Sequence, residues 1–322
     1  MTDKSLGIDK GLGIDKGLVL YGNGVDYTVV VNGKEVIARL KGRLLHTTKR
    51  SHHPVCSGDY VKLVKEKDDY QISEILPRKN KISRPSNYQI RKEQVIAANI
   101  DYLFLIVSVY SPRFNPGFID RLLVFSDMQQ IETVIVVNKV DLGVSDYELD
   151  CIEGYKKIGY KVIGTSTVDK TNLDKIEEMT SGHITAFIGN SGVGKSSILN
   201  SIDPNVMQKV NETSDYSLKG KHTTKQGRLF PIKNGGYIMD TPGIREFGLW
   251  NIEWDELKNY FPEIHALSGK CKFNNCLHKN EPGCAAREAA ENGDIPDFRY
   301  ENYLRIQQTL YENRNIYFKK DE

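Results

Sequence analysis

The sequence lacks any apolar run of the roughly 18 residues that a membrane-spanning helix requires. Its first residues, MTDKSLGIDKG, have neither the apolar core nor the cleavage pattern of a signal peptide. It also lacks a large excess of charge, because 44 Lys and Arg stand against 42 Asp and Glu. These absences predict a soluble, cytoplasmic protein without a membrane partner, and the net charge alone predicts no nucleic-acid partner.

The small positive excess is concentrated at the front of the chain. Residues 1–97 contain 18 Lys and Arg against 11 Asp and Glu, while the remainder is net negative. Such asymmetry predicts a module that faces a polyanion, with a solvated basic face that binds nothing as the alternative.

Cysteine is scarce, and three of the five cysteines are clustered. The spacing Cys271-x4-Cys276-x-His278-x5-Cys284 provides three thiolates and one imidazole within a polar, turn-rich segment that packing alone cannot hold. This set predicts one closed, tetrahedral structural Zn²⁺ site per chain, with no open position for chemistry. His265 is the alternative imidazole, but it lies before Cys271 and is farther from the cysteines in sequence than His278.

The chain is long enough for two or three domains. LGIDKG occurs twice in tandem, and we predict a flexible tail over residues 1–17. Short β-type runs then predict an all-β, OB-like barrel over residues 18–97, with an unspecified β-domain as the alternative. The basic charge of this segment makes it the expected RNA-binding domain. Asn32-Gly33 predicts a type I′ hairpin turn. The barrel tyrosines Tyr21, Tyr27 and Tyr60 are candidates for stacking on bases.

Alternating strand and helix patterns predict an α/β domain with an open parallel sheet over residues 98–250. The remaining residues, 251–322, predict a small α-helical module around the Cys/His cluster.

A phosphate-binding loop follows the strand ITAFI and precedes the helical segment SILNSI. Its glycines allow backbone N–H groups to converge on phosphate oxygens, while the lysine neutralises charge and the serine hydroxyl ligates Mg²⁺. The predicted phosphate-binding residues are Gly189, Asn190, Ser191, Gly192, Val193, Gly194, Lys195, Ser196 and Ser197, with Ser196 as the Mg²⁺ ligand.

The tetrapeptide Asn138-Lys139-Val140-Asp141 closes the strand TVIVV and predicts recognition of guanine. The carboxylate of Asp141 can accept hydrogen bonds from N1–H and the exocyclic amino group, which adenine does not match. Asn138 is expected to contact the O6/N7 side, and the stem of Lys139 to pack over the base. The alternative is a chance tetrapeptide in an enzyme that uses ATP.

Three weaker elements complete the predicted nucleotide site. Ser166, after the strand YKVIG, is expected to lie near the base oxygen. The segment Asp240-Thr-Pro-Gly243 has the D-x-x-G form in which Asp240 holds Mg²⁺ through water and Gly243 meets the γ-phosphate. In the segment that precedes Asp240, either Thr223 or Thr224 is placed to close over Mg²⁺ and the γ-phosphate.

The residue after Gly243 is Ile244, which cannot position an attacking water by hydrogen bonding. His222 is therefore the candidate catalytic residue, and an exposed loop histidine without a role is the alternative.

The five elements occur in the order base reader, base contact, phosphate loop, Thr switch and Asp switch, which is the order of a circular permutation. With the zinc pattern, the chain resembles the circularly permuted small ribosomal subunit biogenesis GTPases known as RsgA or YjeQ. The resemblance implies a monomeric GTP hydrolase, with Mg²⁺ as cofactor, that binds the small ribosomal subunit and its rRNA in late maturation. It also implies low basal activity that the subunit stimulates. A GTP-dependent switch with a non-ribosomal protein partner is the alternative.

Overall fold

The computed structural model describes residues 14–42, 44, 54–66, 69–86, 89–206, 208, 227–240, 249 and 252–317. Within these ranges, no helix combines the length and the apolar character needed to cross a bilayer.

A closed five-stranded barrel begins the described chain. Its strands follow the order β1-β2-β3-β5-β4, and the pair β3 and β5 is parallel. The predicted OB-like barrel is therefore confirmed. The strands are β1 (Ile14–Gly22), β2 (Asp26–Val31), β3 (Lys34–Leu40), β4 (Tyr60–Glu66) and β5 (Asp69–Ile75).

The barrel starts before its predicted boundary at residue 18. Ile14 to Gly17 already belong to β1, where Asp15 pairs with Leu63 of β4. The expected tail over residues 1–17 is therefore wrong for its last four residues, since the second LGIDKG copy runs into a strand. Residues 1–13 lie outside the described part of the chain.

The hairpin turn between β2 and β3 has the geometry that its sequence predicts. Val31 pairs with Lys34 across the turn. Asn32 and Gly33 have φ values of 50° and 76°, so both central residues are left-handed as a type I′ turn requires.

A two-stranded antiparallel ribbon follows the barrel and precedes the α/β part of the chain. It consists of β6 (Lys81–Ser86) and β7 (Gln89–Ala98). This ribbon is absent from the predicted domain plan, which assigned these residues to the end of the barrel.

The α/β part contains a six-stranded sheet with the order β10-β9-β8-β11-β13-β12. Its strands are β8 (Tyr102–Ser108), β9 (Glu132–Asn138), β10 (Lys161–Thr165), β11 (Ile184–Ile188), β12 (Arg228–Pro231) and β13 (Tyr237–Asp240). The pairs β8 with β9, β9 with β10 and β11 with β13 are parallel, as predicted. The edge strand β12 is antiparallel to β13, because the short connection between them allows only a hairpin.

The helices alternate with these strands as the sequence predicts. They are α1 (Pro116–Met128), α2 (Asp146–Ile158), α3 (Leu173–Thr180) and α4 (Lys195–Ile202). The C-terminal module adds α5 (Pro262–His265), α6 (Ala285–Glu291) and α7 (Asp297–Tyr317).

The chain divides into two compact units. The first contains the described residues up to Asp101, Glu177–Ala186 and the described residues from Ile202 to Asp240. The second contains Tyr102–Ile176, Phe187–Ser201 and the described residues from Leu249 onward. The second unit therefore holds the predicted guanine reader, phosphate loop and metal cluster.

Candidate nucleotide site and metal centre

The guanine-recognition motif begins where three parallel strands end together. Asn138 is the last residue of β9 and pairs with Ser108 of β8 and Thr165 of β10. Its side chain is buried and fixed at both ends. The amide nitrogen donates to the carbonyl of Val193 at 2.8 Å, and the amide oxygen accepts from the Thr165 hydroxyl at 3.1 Å. Asn138 therefore joins the end of β9 to the predicted phosphate loop.

The next residues of the motif leave the sheet sharply. Lys139 adopts a left-handed backbone with φ of 65°, and a 3₁₀ turn over Val140–Leu142 follows. The Lys139 ammonium donates to the carbonyls of Tyr110 and Ser111 at 3.2 and 2.7 Å, so the side chain crosses the loop after β8. Asp141 is exposed, which leaves its carboxylate accessible to a base.

Ser166 lies directly beyond β10 and is completely buried. Its hydroxyl accepts hydrogen bonds from the backbone N–H groups of Val168 and Asp169 at 3.1 and 3.4 Å. Its own N–H donates to the carbonyl of Thr171 at 3.3 Å. Ser166 therefore shapes the loop beside the guanine motif, and its predicted contact with the base stays a prediction.

Two glycines of the phosphate loop are required by close approaches of the chain. A Cβ at Gly189 would lie 2.1 Å from the carbonyl oxygen of Ile106 in β8. Gly194 has φ of 97°, and a Cβ there would lie 2.1 Å from the Asn138 amide nitrogen. The bridge from Asn138 thus needs glycine in the loop at this position, which connects the two sequence motifs physically.

The phosphate loop leads into α4, which begins at Lys195. The Lys195 ammonium donates to the carbonyls of Gly189 and Asn190 at 2.8 and 2.6 Å. Backbone N–H groups at the start of a helix attract anions. The exposed residues at this end of the loop and helix are Ser191, Gly192, Ser196 and Ser197, while Val193 is buried beneath them.

The predicted switch residues fall almost entirely beyond the described ranges. His222, Thr223, Thr224, Gly243 and Ile244 all lie in undescribed segments. Asp240 ends β13 and is described through its backbone, which pairs with Arg228 of β12. The predicted roles of these residues in Mg²⁺ binding, γ-phosphate binding and catalysis stay predictions.

The four predicted metal ligands lie together. One donor atom from each of Cys271, Cys276, His278 and Cys284 falls within 4.8 Å of the other three. The Nδ1 atom of His278 is 3.5 Å from the Sγ atoms of both Cys271 and Cys284. Zinc bonds of about 2.3 Å to sulfur and about 2.0 Å to nitrogen place tetrahedral S and N donors about 3.5 Å apart. The donor set and its spacing therefore fit Zn²⁺, and His265 is not part of the group.

The metal cluster is supported by a glutamate and by the last helix. The Glu281 carboxylate accepts from the backbone N–H groups of Leu277 and Lys279 at 2.7 and 2.8 Å, which holds the loop around His278. From α7, the hydroxyls of Tyr300 and Tyr303 each donate at 2.9 Å to the carbonyls of His278 and Leu277. The loop that carries the metal cluster is thus held by contacts that the spacing of the Cys and His residues does not reveal.

A buried ionic network attaches α7 to α1. The fully buried guanidinium of Arg299 donates to Asp120 of α1 at 2.7 Å and to Glu263 of α5 at 2.7 Å. Asp120 also accepts from Tyr155 at 2.7 Å and from Asn302 at 2.6 Å. Burial works against the Arg299 cation, but the two carboxylates outweigh it and raise the pKa of Arg299 above its ordinary value. The metal module is therefore anchored on the helix that follows β8.

Comparison with known proteins agrees with these features. The family model "RsgA GTPase" matches residues 75–250. A relative from Bacteroides fragilis, named small ribosomal subunit biogenesis GTPase RsgA, is 39% identical over 302 residues and covers 92% of this chain and 97% of its own. A protein of the same name from Azobacteroides pseudotrichonymphae is 40% identical over 306 residues, with the same coverages.

Two solved structures share the architecture over nearly the full chain. YjeQ from Thermotoga maritima has a TM-score of 0.75 and 30% identity, and covers 92% of this chain and 99% of its own. YloQ, described as a circularly permuted GTPase, has a TM-score of 0.73 and 28% identity, with coverages of 98% and 99%. Because the family model and these relatives match most of the chain, this chain belongs to the RsgA GTPase family.

Proposed function

We propose that this protein hydrolyses GTP during late maturation of the small ribosomal subunit, binds its rRNA, and is stimulated by the subunit. The observation that carries the nucleotide assignment is the 2.8 Å hydrogen bond from Asn138 to Val193. It joins the guanine motif to a phosphate loop that follows it by some fifty residues, as a permuted GTPase requires. The curated relatives are named for small-subunit biogenesis, which supports the choice of partner.

The roles of the nucleotide-binding residues follow from their chemistry. Asp141 selects guanine through its two acceptor oxygens, and Lys195 neutralises the β- and γ-phosphates. Ser196, Asp240 and one of Thr223 and Thr224 would hold Mg²⁺, which would neutralise the charge that develops on the transferred phosphoryl group. Gly243 meets the γ-phosphate.

Hydrolysis requires a group that positions the attacking water. Because Ile244 offers no hydrogen bond, His222 positions the water, and basal turnover is slow. The small subunit then stimulates hydrolysis, and the protein leaves the subunit after GTP is consumed.

The metal cluster has a structural role in this proposal. Cys271, Cys276, His278 and Cys284 hold one Zn²⁺, which stabilises the fold of the C-terminal module. With four protein ligands, this site has no open position at which a substrate could bind.

The barrel is the proposed RNA-binding surface. The Lys16 ammonium lies 5.0 Å from the centre of the Tyr60 ring, and the Lys65 ammonium lies 5.7 Å from that of Tyr70. Each pair offers a phosphate contact beside an aromatic ring. Tyr27 is different, because it is completely buried in the barrel core, and burial raises its pKa to about 12. The prediction that the Tyr27 ring is available for stacking is therefore wrong.

Co-sedimentation with purified small subunits tests the partner. In the presence of a non-hydrolysable GTP analogue, we expect binding that weakens steeply as salt rises, because phosphate contacts release counterions. The double variant K16E/K65E is expected to reduce both affinity and salt dependence. Lys175→Glu, an exposed substitution on α3, is the matched control and should bind normally. If the wild-type protein does not bind small subunits at any salt concentration tested, low salt included, the ribosomal assignment is contradicted. We further propose that the protein is cytoplasmic and monomeric.

A further inference from the structure

The position of Asp240 depends on a short edge strand. β12 has only the four residues Arg228–Pro231 and stands last in the order of the sheet. Its register places Arg228 directly opposite Asp240 in β13. An edge strand pairs with only one other strand of its sheet, here β13. Contacts made on the unpaired side of a short edge strand therefore influence its position. Whatever holds Arg228 therefore also restrains the backbone of Asp240.

The barrel provides those contacts within the same compact unit. The Arg228 guanidinium carbon lies 3.8 Å from the centre of the Tyr21 ring in β1, which is close stacking of a planar cation on an aromatic face. One residue earlier, the carbonyl of Gly227 accepts a hydrogen bond from the buried Ser57 hydroxyl. The start of β12 is thus held by a ring and a hydroxyl that both come from the barrel side.

Tyr21 and Ser57 each make backbone contacts with neighbouring strands. Tyr21 pairs with Thr28 in the ladder between β1 and β2. The carbonyl of Ser57 accepts from the N–H of Ala98 at 2.9 Å. Gly58, which follows Ser57, has φ of 87°, and a Cβ there would lie 2.0 Å from the carbonyl oxygen of Ala98. The backbone at Ser57 and Gly58 therefore packs directly against Ala98 of β7.

A salt bridge between Asp59 and Arg78 stabilises the loop that carries Ser57. Asp59 is completely buried and accepts from Arg78 at 2.6 and 2.8 Å, and from the N–H of Cys56 at 2.9 Å. The loop that presents Ser57 is therefore held on both sides.

From these contacts we propose that Tyr21 and Ser57 are positioning residues for GTP hydrolysis. They hold Arg228 and Gly227, and through the β12–β13 ladder they hold Asp240 where it serves Mg²⁺. The barrel then contributes to GTP hydrolysis in addition to binding RNA. This inference rests on the proposed role of Asp240 in binding Mg²⁺.

The test measures the Mg²⁺ dependence of basal GTP turnover, without ribosomes, in Tyr21→Leu and Tyr21→Phe. Leucine retains apolar bulk but loses the aromatic face, whereas phenylalanine retains that face. We expect Y21L to lower kcat and to raise the Mg²⁺ concentration for half-maximal turnover by between about two-fold and about thirty-fold, the range of one cation–π contact. Y21F should behave as wild type. Arg228→Lys, which loses planar stacking from the other side, and Ser57→Ala should shift the midpoint in the same direction as Y21L.

Two controls separate positioning from general damage. GDP affinity measured without Mg²⁺ depends on the guanine motif and the phosphate loop, so it should be unchanged in Y21L. Circular dichroism should show the same folded state for all variants at the assay temperature. A Y21L protein that is folded and binds GDP normally, but has the wild-type Mg²⁺ midpoint and kcat, would overturn the inference.

Asp240→Asn distinguishes failure of the inference from failure of the role on which it rests. If D240N shifts the Mg²⁺ midpoint and Y21L does not, only the coupling to the barrel is wrong. If D240N leaves the midpoint unchanged, the Mg²⁺ role of Asp240 is wrong and the inference is rejected with it. Shifts in D240N, Y21L and R228K together, with Y21F unchanged, support both.

Discussion

The side-chain amide nitrogen of Asn138 donates a hydrogen bond to the main-chain carbonyl of Val193 across 2.8 Å. This contact joins two motifs that are 55 residues apart in sequence. Gly194, beside Val193, has no room for a Cβ because of the same amide nitrogen. The predicted guanine reader and the predicted phosphate loop are therefore in direct contact, and damage at either should weaken binding of the whole nucleotide.

Asn138→Ala should weaken GDP binding about ten-fold or more, because the substitution leaves the buried Val193 carbonyl without its partner and loosens the loop. Titration with a fluorescent GDP analogue measures the effect. Thr165→Val is the matched control, since it removes only the 3.1 Å bond to the Asn138 oxygen and should cost less. Equal affinity in N138A and wild type would show that the bridge does not organise the loop.

Asp141→Asn tests the choice of base. The exposed side chain lets the change leave the fold intact, while the two donors of guanine lose an acceptor. We expect GTP affinity to fall by about 100-fold or more, and xanthosine triphosphate, which has a carbonyl in place of the amino group, to gain affinity. Competition binding with GTP, ATP and xanthosine triphosphate measures this. An unchanged preference for GTP in D141N would show that Asp141 does not read the base. Equally tight binding of ATP and GTP by the wild type would favour the ATP-using alternative.

Cys276→Ser tests the metal centre. Cys276 is buried among the other three donors, and a hydroxyl is a poor replacement for a thiolate zinc ligand. We expect elemental analysis to find about one zinc per chain in the wild type and much less in C276S. The melting temperature of the C-terminal module should fall as well.

Cys151→Ala is the control for the metal experiment, because Cys151 is equally buried but lies on α2, away from the cluster. It should retain zinc. Wild-type protein that contains no zinc, or C276S that retains a full equivalent, would contradict the assignment.

Arg299→Met tests the attachment of the C-terminal module to α1. The substitution leaves Asp120 and Glu263 buried without their cation, and removing one partner of such a pair costs about 3–5 kcal/mol. Urea unfolding followed by circular dichroism measures the loss. Arg305→Met, an exposed change on the same helix, should alter stability by less than about 0.5 kcal/mol. Similar unfolding curves for the two variants would show that the network does not anchor the module.

Local patterns were sufficient to predict much of the fold and the site. The phosphate loop, the Asn32-Gly33 turn and the Cys/His spacing each depend on neighbouring residues, so a short stretch of sequence defines them. The alternation of strands and helices from β8 onward was predictable for the same reason. The permutation followed from the order of the motifs along the chain.

Contacts between distant residues were not predictable in this way. Asp120 and Arg299 are separated by 179 positions, and their pairing depends on how α7 packs on α1. A charged residue in an amphipathic helix normally faces solvent, so nothing local indicated that Arg299 is buried. Tyr27 was misjudged similarly, because strand periodicity does not say which face of a barrel strand points inward. The β1 boundary was missed because a glycine-rich repeat gives the same composition in a tail and at the start of a strand.

GTP turnover measured with and without purified small ribosomal subunits tests the central claim most directly. Slow hydrolysis by the protein alone, raised at least about ten-fold by an equimolar amount of small subunits, is the result that a subunit-stimulated GTPase predicts. A turnover rate that small subunits leave unchanged would contradict the proposed function.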